Sequence, residues 1–276
     1  MQANRIAQCQ CEFVIFSFTM SIITLTTDWN KNDFYTGALK GKLLSHSKDI
    51  QIIDITHQIK PFNLPEAAFV VRNAYPFFPK DTIHIITVNS ERSNGNAHIL
   101  VKMNGHYFIA ADNGIFGLIF QENPEKIIQI NRKSSIPSFP SLEIYPEIIR
   151  KLIAGVPADK LGEEKTNLYK RIPLRPTIDE SVIIGRVVYI DSFYNAITNI
   201  SEDLFQRVGN KRKFQIFVQS NTNMINNISK SYHENPQGEL LALFNSLHLL
   251  EIAMNGGNAS QILALDTNST VRVKFF

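Results

Sequence analysis

The sequence predicts an α/β protein with an N-terminal α/β sandwich-like domain and a smaller C-terminal all-β barrel domain. In the first half, short apolar runs typical of strands alternate with amphipathic segments typical of helices, which indicates a parallel or mixed sheet covered by helices. Residues 158–180 are instead rich in proline and charge, which predicts a linker. After residue 180 the runs are β-branched and aromatic with turn residues between them, as in a small barrel.

The predicted N-terminal domain covers residues 21–157. Pro65 and Pro146 fall where a first helical turn tolerates proline, and Gly155 is a typical helix stop. Asn104-Gly105 is the strongest two-residue signal for a hairpin. The expected elements are strands at 21–27, 51–57 and 81–89, two strands within 98–112, and helices at 34–46, 64–78 and 146–155.

The predicted C-terminal domain covers residues 181–276. Its strands are expected within 182–193, 213–220, 239–255 and 270–276, where β-branched and aromatic residues concentrate. Residues 1–20 resemble neither domain, and their apolar run is short and lacks a clear cleavage site for a signal peptide. We interpret them as a leader that is disordered or precedes a true start at Met20.

Composition excludes several classes of protein. The net charge of +3 is too small to indicate a nucleic-acid partner. The only cysteines are Cys9 and Cys11, which excludes a disulfide framework and a catalytic thiolate in the body of the chain. No segment approaches the roughly 20 apolar residues of a membrane span. The sequence therefore predicts a soluble, cytoplasmic protein that binds neither membranes nor nucleic acid.

The chain also lacks the common catalytic motifs. It contains no GxGxxG, no Walker A and no GxSxG sequence. The scattered histidines His57, His84, His98 and His106 have no metal-ligand spacing, so we predict no metal and no resident cofactor.

Two carboxylates stand out in the segment TTDWNKNDFYTG, which follows the first predicted strand. Asp28 and Asp33 lie at the end of a strand, where α/β sheets bind ligands. A carboxylate there can accept both hydroxyls of a ribose diol. Alternatively, Asp33 caps the following helix and Asp28 stabilises a turn.

Three further polar clusters have two interpretations each. Asp112-Asn113-Gly114 is either a turn or part of the strand-end site. The segment IDSFYNAITNI, with Asp191, Phe193 and Asn195, is either a surface hairpin or a binding edge. The loop NGGNAS at 255–260 is either a plain turn or a loop whose backbone amides contact a ligand.

The order of these segments resembles one family, the S-adenosylmethionine hydroxide adenosyltransferases, which are relatives of the fluorinase and chlorinase. The family's TDFGxxDxYVGxxKG-like opening is similar to TDWNKNDFYTGALKG at 27–41, and its VDxTH-like strand end to IDITH at 53–57. HYFIAADNGIF at 106–116, LIAGVP at 152–157, IDSFYNAITNI at 190–200 and NSLHLLEIAMNGGNA at 245–259 resemble later family motifs in the same order. The similarity spans about residues 21–276.

The resemblance implies a binding site for S-adenosylmethionine (SAM). It implies that Asp28 anchors the ribose, that Asp33 assists it, and that Asp191 holds the methionine ammonium group. It also implies that Phe62 covers the ribose and that the Ser141 hydroxyl lies near the reacting carbon. Phe193 and Asn195 would contact the adenine, and the Ser246 hydroxyl would lie near the methionine end. The loop at Asn255 and Gly256 would meet the adenine edge. In the family this site lies between subunits, which implies a homotrimer.

The hydrolases of the family share an Asp, Arg and His trio that is taken to activate water. The Asp and Arg of a VDPGVGxxR-like loop correspond to Asn89 and Asn96, and the His of an AAHLARG-like helix corresponds to Lys151. Because all three residues differ, two functions remain open: hydrolysis of SAM to adenosine and methionine, or binding of SAM without turnover. Halogenation, suggested by Ser141 alone, is the least supported alternative.

Overall fold

A computed structural model describes residues 20–90 and 97–276. The predictions about the leader before Met20 and about Asn96 lie outside the described residues. No helix in the described part of the chain is long and apolar enough to cross a membrane.

The first sheet is mixed and its strands lie in the order β2-β1-β3-β5-β4-β6-β7. The four strands from β2 to β5 run parallel, and β4, β6 and β7 continue the sheet antiparallel. Its strands are β1 (Ser21–Thr27), β2 (Ile50–Thr56), β3 (Ile83–Thr87), β4 (His98–Met103), β5 (His106–Ala111), β6 (Lys126–Ile130) and β7 (Glu163–Glu164). The chain passes from β1 to β2 on one side and to β3 on the other, so β1 and β3 form a topological switch point.

Helices cover both faces of this sheet: α1 (Phe34–His46), α2 (Leu64–Ala74), α3 (Ile115–Ile119) and α4 (Ser141–Ile153). Alternate residues of β1 and β3, such as Ile23, Leu25 and Ile85, pack against α1 and α4. On the opposite face, Ile86 and Phe108 pack with α2 and α3. The strands are apolar on both faces because both faces are covered.

Most predicted elements of this half are confirmed, with one informative exception. The helix expected at 146–155 begins at Ser141, and Pro146 lies inside it. Amphipathic packing of the longer helix outweighs the hydrogen bond that proline removes. The predicted stop is present, since Gly155 has φ of 80°. Ser141 is therefore the first residue of α4.

The second sheet is nearly closed into a barrel. Its path is β12-β11-β15-β9-β10-β14-β13, with β8 paired to β9. The strands are β8 (Thr177–Asp179), β9 (Val182–Ile190), β10 (Ala196–Ser201), β11 (Phe214–Val218), β12 (Met224–Ile225), β13 (Leu240–Phe244), β14 (Leu249–Met254) and β15 (Thr270–Phe275). Two short helices, α5 (Glu202–Gly209) and α6 (Ala259–Ile262), accompany this sheet. The two-sheet architecture confirms the predicted fold class.

The predicted linker at 158–180 is tied to both sheets. Its residues include β7, which extends the first sheet, and β8, which extends the second. Between these strands, Lys165 Nζ lies 3.0 Å from Asp112 Oδ2, and the Tyr169 backbone N–H donates to Asp112 Oδ1 at 2.9 Å. Asp112 therefore anchors the connecting segment to the end of β5, which agrees with a structural role for that cluster.

Candidate functional site

Asp28 lies directly after β1, at the carboxyl edge of the first sheet and at its switch point. The backbone N–H of Phe62 donates to Asp28 Oδ2 at 2.9 Å, and that of Asn89 donates to the same oxygen at 3.1 Å. Phe62 follows β2 and Asn89 follows β3, so one carboxylate oxygen joins the ends of three neighbouring strands. Among the described residues, Asp28 Oδ1 receives no hydrogen bond.

The backbone around this carboxylate is strained. Asn30, Phe62 and Asn89 all have positive φ, at 65°, 65° and 50°. Asparagine tolerates this region, but a phenylalanine there is costly. Such strain concentrates at ligand sites, at about 1 to 3 kcal/mol per residue. The Phe62 side chain is 58% exposed, so apolar burial does not compensate the cost at that position.

Asp28 is suited to bind a vicinal diol. A carboxylate offers about four acceptor positions, and the two backbone amides occupy those of Oδ2. Oδ1 is left to accept hydroxyl groups, with the exposed Phe62 ring on a neighbouring loop. The Asp28 carboxylate thus has a structural role on one oxygen and an open position on the other. The turn-stabilising interpretation is confirmed by the contacts of Oδ2, and a diol contact by Oδ1 stays a prediction.

Asp33 occupies the N-cap position of α1, but its side chain makes no capping hydrogen bond. The side chain is exposed, on the same turn as Asp28. The capping alternative is therefore not realised, and a ligand contact for Asp33 stays a prediction.

Asp191 organises the tight turn between β9 and β10. Its Oδ1 accepts the backbone N–H groups of Phe193 at 2.9 Å and Asn195 at 2.8 Å, and its Oδ2 accepts Asn195 Nδ2 at 3.1 Å. Asn195 is buried, whereas Phe193 is 75% exposed. The turn presents an aromatic ring to solvent beside a partly exposed carboxylate.

A cavity of about 580 Å³ lies beside this turn, between the two sheets. Asp191 and Tyr194 line it from the second sheet, and Lys60 and Glu66 line it from the loop and helix that follow β2. The Tyr189 ring stacks on Phe69 of α2 at 4.9 Å, which joins the two halves of the chain next to the cavity. The cavity therefore carries both positive and negative groups.

A buried carboxyl group on β14 lies close enough to Asp191 to feel its charge. Glu251 accepts the Tyr232 hydroxyl at 2.8 Å and Asn245 Nδ2 at 3.0 Å. Burial, together with Asp191, raises the pKa of Glu251 above its usual value despite these hydrogen bonds. Ser246 follows Asn245 and is exposed. Asp191 and Glu251 thus lie close together, and Ser246 follows a residue that contacts Glu251.

The loop after β14 is a tight turn. Asn255 Nδ2 donates to the Asn235 carbonyl at 2.7 Å, and the Gly238 N–H donates to the Asn255 carbonyl at 2.8 Å. Gly256 has φ of 65°, and a Cβ there would lie 3.1 Å from the Gln237 side chain. Both sequence-predicted residues therefore have structural reasons to be present, and their contact with adenine stays a prediction.

Comparison with known proteins agrees with the order of these segments. The SAM hydroxide adenosyltransferase N-terminal domain matches residues 23–162, and the C-terminal domain of the same family matches residues 185–272. This chain belongs to the SAM hydroxide adenosyltransferase family. The two matched domains coincide with the two sheets.

Individual relatives in and near the family are similar over most of their length. The (R)-S-adenosyl-L-methionine hydrolase of Methanocaldococcus jannaschii is 34% identical, with 90% of this chain and 93% of the relative covered. A fluorinase of Actinopolyspora mzabensis is 23% identical, with 70% and 76% covered. A crystal structure of an uncharacterized conserved protein from Thermotoga maritima has a TM-score of 0.80 at 27% identity, with 92% and 98% covered.

Asn89, one of the three positions that the resemblance predicts to correspond to a water-activating trio, lies at the Asp28 edge. Asn113 Nδ2 donates to the Val88 carbonyl at 3.1 Å and to the Asn89 carbonyl at 3.2 Å, which holds this backbone in place. The Asn89 Oδ1 atom is buried and has no hydrogen-bond partner in the described part of the chain. An amide oxygen in that situation is available to orient a water molecule.

Lys151 lies at the opposite edge of the sheet. It sits in the last turn of α4, with its Nζ 3.3 Å from Glu147 Oε1. The end of α4 lines a small cavity together with Ser21 and Ile83, which begin β1 and β3. Ser141, ten residues earlier, lies about 15 Å away along the helix and on the Asp28 side. The structure thus brings Ser141 and Asn89 to the edge of the sheet that carries Asp28. The last turn of α4, which holds Lys151, lies at the other edge.

Several residues at the site were not singled out from the sequence. Tyr232 begins a short 3₁₀ helix (Tyr232–Glu234), and nothing in its local sequence indicates a contact with Glu251. Thr27 and His57 also lie at the Asp28 edge, where Thr27 Oγ1 is 3.0 Å from His57 Nδ1. The two residues are separated by 30 positions, so only the parallel pairing of β1 with β2 makes them neighbours.

Proposed function

We propose that this protein binds SAM and hydrolyses it to adenosine and methionine. The observation that carries the proposal is the Asp28 carboxylate, which is fixed by two backbone amides at the switch point and keeps one oxygen open. Membership of the SAM hydroxide adenosyltransferase family, with a relative named as a SAM hydrolase at 34% identity, supports the same substrate.

The chemistry needs placement more than it needs catalytic groups. The sulfonium of SAM is a good leaving group, and a water oxygen attacks C5′ in line with the C–S bond. The new C–O bond forms as the C–S bond breaks, methionine leaves with the electron pair on sulfur, and the water loses one proton. Orienting the water against C5′ supplies much of the rate enhancement. We propose no resident cofactor, because none of these steps transfers electrons to or from the protein.

The residues divide between the two ends of the substrate. In this proposal Asp28 accepts the ribose hydroxyls, Phe62 covers the sugar, and Asp33 assists from the same turn. The buried Oδ1 of Asn89 orients the attacking water, and Ser141 lies near the reacting carbon. Asp191 and Ser246 hold the ammonium and carboxylate of methionine. Phe193, Asn195 and the turn at Asn255-Gly256 contact the adenine.

We also propose that the working form is a homotrimer with sites at subunit interfaces. Phe62 and Phe193 are 58% and 75% exposed, and they stand beside the two proposed substrate-binding carboxylates. Large exposed aromatic side chains mark surfaces that bind ligands or partners. Sedimentation velocity tests this directly, because a monomer at micromolar concentration would contradict it.

A second candidate function is SAM binding without turnover. It is favoured by Asn89, which replaces an acidic residue of the family trio, and by Lys151, which lies at the other edge of the sheet. Asparagine can orient a water molecule but cannot accept its proton. Under this alternative, Asn89→Asp gives measurable hydrolysis to a protein that has none.

The deciding experiment is product analysis. Purified protein is incubated with SAM alone, with chloride and with fluoride, and the products are resolved by chromatography. Adenosine and methionine in equal amounts support hydrolysis, whereas a 5′-halogenated adenosine would identify a halogenase. No product, together with a SAM-dependent rise in melting temperature, identifies the binding-only function. Neither product nor thermal shift would contradict the whole proposal.

A further inference from the structure

We propose that His57, supported by Asp54 and Lys40, is a positioning residue that sets the orientation of the Asp28 carboxylate for the ribose diol. This inference rests on the function proposed above, because it concerns the ribose end of the same site. It assigns a role to a buried polar group that the reaction does not otherwise use.

His57 holds the turn that carries Asp28 at both of its ends. Its Nδ1 lies 3.0 Å from Thr27 Oγ1, which precedes Asp28. Its backbone carbonyl accepts the N–H of Asn30 at 2.9 Å, on the other side of Asp28. His57 is only 6% exposed and Thr27 is fully buried, so water does not replace these contacts.

The neighbouring groups of the His57 ring are compatible with one direction for its hydrogen bond to Thr27. Thr27 Oγ1 accepts the backbone N–H of Trp29 at 3.4 Å, so the Thr27 hydroxyl is free to donate its own proton to His57 Nδ1. In that arrangement the ring proton lies on Nε2, which faces Asp54 Oδ1 at 3.1 Å. The ring thus lies between a threonine hydroxyl on one side and a carboxylate on the other.

Asp54 is itself held in place. Lys40 Nζ of α1 lies 2.6 Å from Asp54 Oδ2. Burial opposes ionisation of Asp54, but the contacts from Lys40 and His57 outweigh it, and the pKa of Asp54 lies below its usual value. The His57 Nε2–H does not point straight at the Asp54 oxygen, and among the described residues it has no well-aligned hydrogen bond. The Asp54 contact is therefore mainly electrostatic, and the Thr27 contact is the directional one.

The consequence for the ligand follows from geometry. Asp28 is one residue from Thr27 and two from Asn30. A shift of the contact of His57 with either of these residues therefore rotates the Asp28 carboxylate. A displacement of about 1 Å at a positioning group costs up to 100-fold in a tuned site. Because the ribose is held equally before and during the displacement at C5′, misplacement raises KM and leaves kcat nearly unchanged.

The neighbouring strand offers a matched control. Thr87 of β3 is the paired neighbour of Thr27 in the sheet. Its Oγ1 is also buried, but it has no hydrogen-bond partner in the described part of the chain. Thr27→Val and Thr87→Val are therefore the same chemical change at adjacent positions. Only the first removes a contact to His57.

The experiment measures adenosine affinity by calorimetry and KM and kcat for SAM. Four variants are compared with the wild type: Thr27→Val, Thr87→Val, His57→Leu and His57→Asn. We expect Thr27→Val and His57→Leu to weaken adenosine binding at least tenfold and to raise KM similarly, with kcat within twofold. Thr87→Val remains within twofold of wild type. His57→Asn restores most of the affinity, because its amide nitrogen or oxygen reaches the position of Nδ1.

Asp54→Asn provides a variant that does not disturb the core, because the Asp54 side chain is 40% exposed. We expect it to weaken adenosine binding by about threefold to fivefold. If the wild-type protein binds adenosine and both Thr27→Val and Asp54→Asn bind it with the same affinity, the positioning role of His57 is overturned. The proposed function would still stand. If the wild-type protein binds neither adenosine nor SAM, the proposed function fails, and this inference fails with it.

Discussion

Replacement of Asp28 by asparagine separates the two roles of this carboxylate. Its Oδ2 accepts backbone N–H groups at 2.9 and 3.1 Å, whereas its Oδ1 is the proposed acceptor for the ribose hydroxyls. In Asp28→Asn the single amide oxygen takes over the two backbone contacts. The amide NH₂ group then occupies the position of Oδ1, where it presents a donor to two hydroxyl donors.

The expected loss can be estimated from these contacts. A hydrogen bond to a charged group contributes about 1.5 to 3 kcal/mol, and water recovers part of it at a partly exposed site. Losing the pair of diol contacts therefore costs about 2 to 4 kcal/mol, or roughly 30- to 1,000-fold in the adenosine dissociation constant. The free energy of unfolding changes by less than about 1 kcal/mol, because both backbone N–H groups keep an acceptor.

Calorimetry with adenosine and 2′,3′-dideoxyadenosine measures this directly. The wild-type protein is expected to prefer adenosine strongly, and Asp28→Asn is expected to bind the two nucleosides with similar, weak affinity. Asp28→Ala is the contrasting variant, since it also leaves two N–H groups unpaired and lowers stability by about 2 kcal/mol. Adenosine binding to Asp28→Asn within twofold of wild type would refute the assignment of Asp28 to the ribose.

Further expectations follow from the surrounding residues. Lys151→Ala leaves kcat/KM for SAM within twofold, and a tenfold loss would place this residue in the site after all. Burial and the neighbouring His106 lower the pKa of His84 to about 3, so only the unfolded chain gains a proton there between pH 6.5 and 3. The free energy of unfolding therefore decreases as the pH is lowered from 6.5 to 3, by at most about 5 kcal/mol. Chemical denaturation of His84→Gln should show a flatter pH dependence, and an unchanged profile would contradict the assignment. Phe62→Gly removes the steric strain of a phenylalanine with positive φ but adds backbone entropy to the unfolded chain. We therefore expect the melting temperature of this variant to stay within about 3 °C of the wild type while its affinity for adenosine falls.

The sequence was sufficient for the features that depend on local pattern. The strand at 21–27 and the helix at 34–46 were predicted from apolar spacing alone, and the hairpin at Asn104-Gly105 from turn chemistry. For the segment around Asp191 the sequence predicts either a surface hairpin or a binding edge. In the structure the Asp191 carboxylate forms the turn by accepting backbone N–H groups. A local pattern identifies such residues because their partners lie within a few positions.

What the sequence could not provide depends on contacts between distant segments. The start of α4 was misplaced because Pro146 looks like a first-turn residue, although packing carries the helix through it. The resemblance of that helix to a family motif predicts a role for Lys151, but only the path of α4 across the sheet shows that its last turn lies at the edge opposite Asp28. The contact of Thr27 with His57 depends on parallel pairing between β1 and β2, which no local motif encodes.

The distribution of strain supports retention of ligand binding in this chain. Three residues with positive φ surround one carboxylate, and the phenylalanine among them is mostly exposed. At a turn position with positive φ that serves only folding, glycine is the expected residue, since it adopts this backbone conformation without a steric cost. The Phe62 ring stays mostly exposed in the folded protein, beside the Asp28 oxygen that we propose as the acceptor for sugar hydroxyls. We therefore expect the asparagine at position 89 to affect the rate of the proposed reaction more than the binding of SAM.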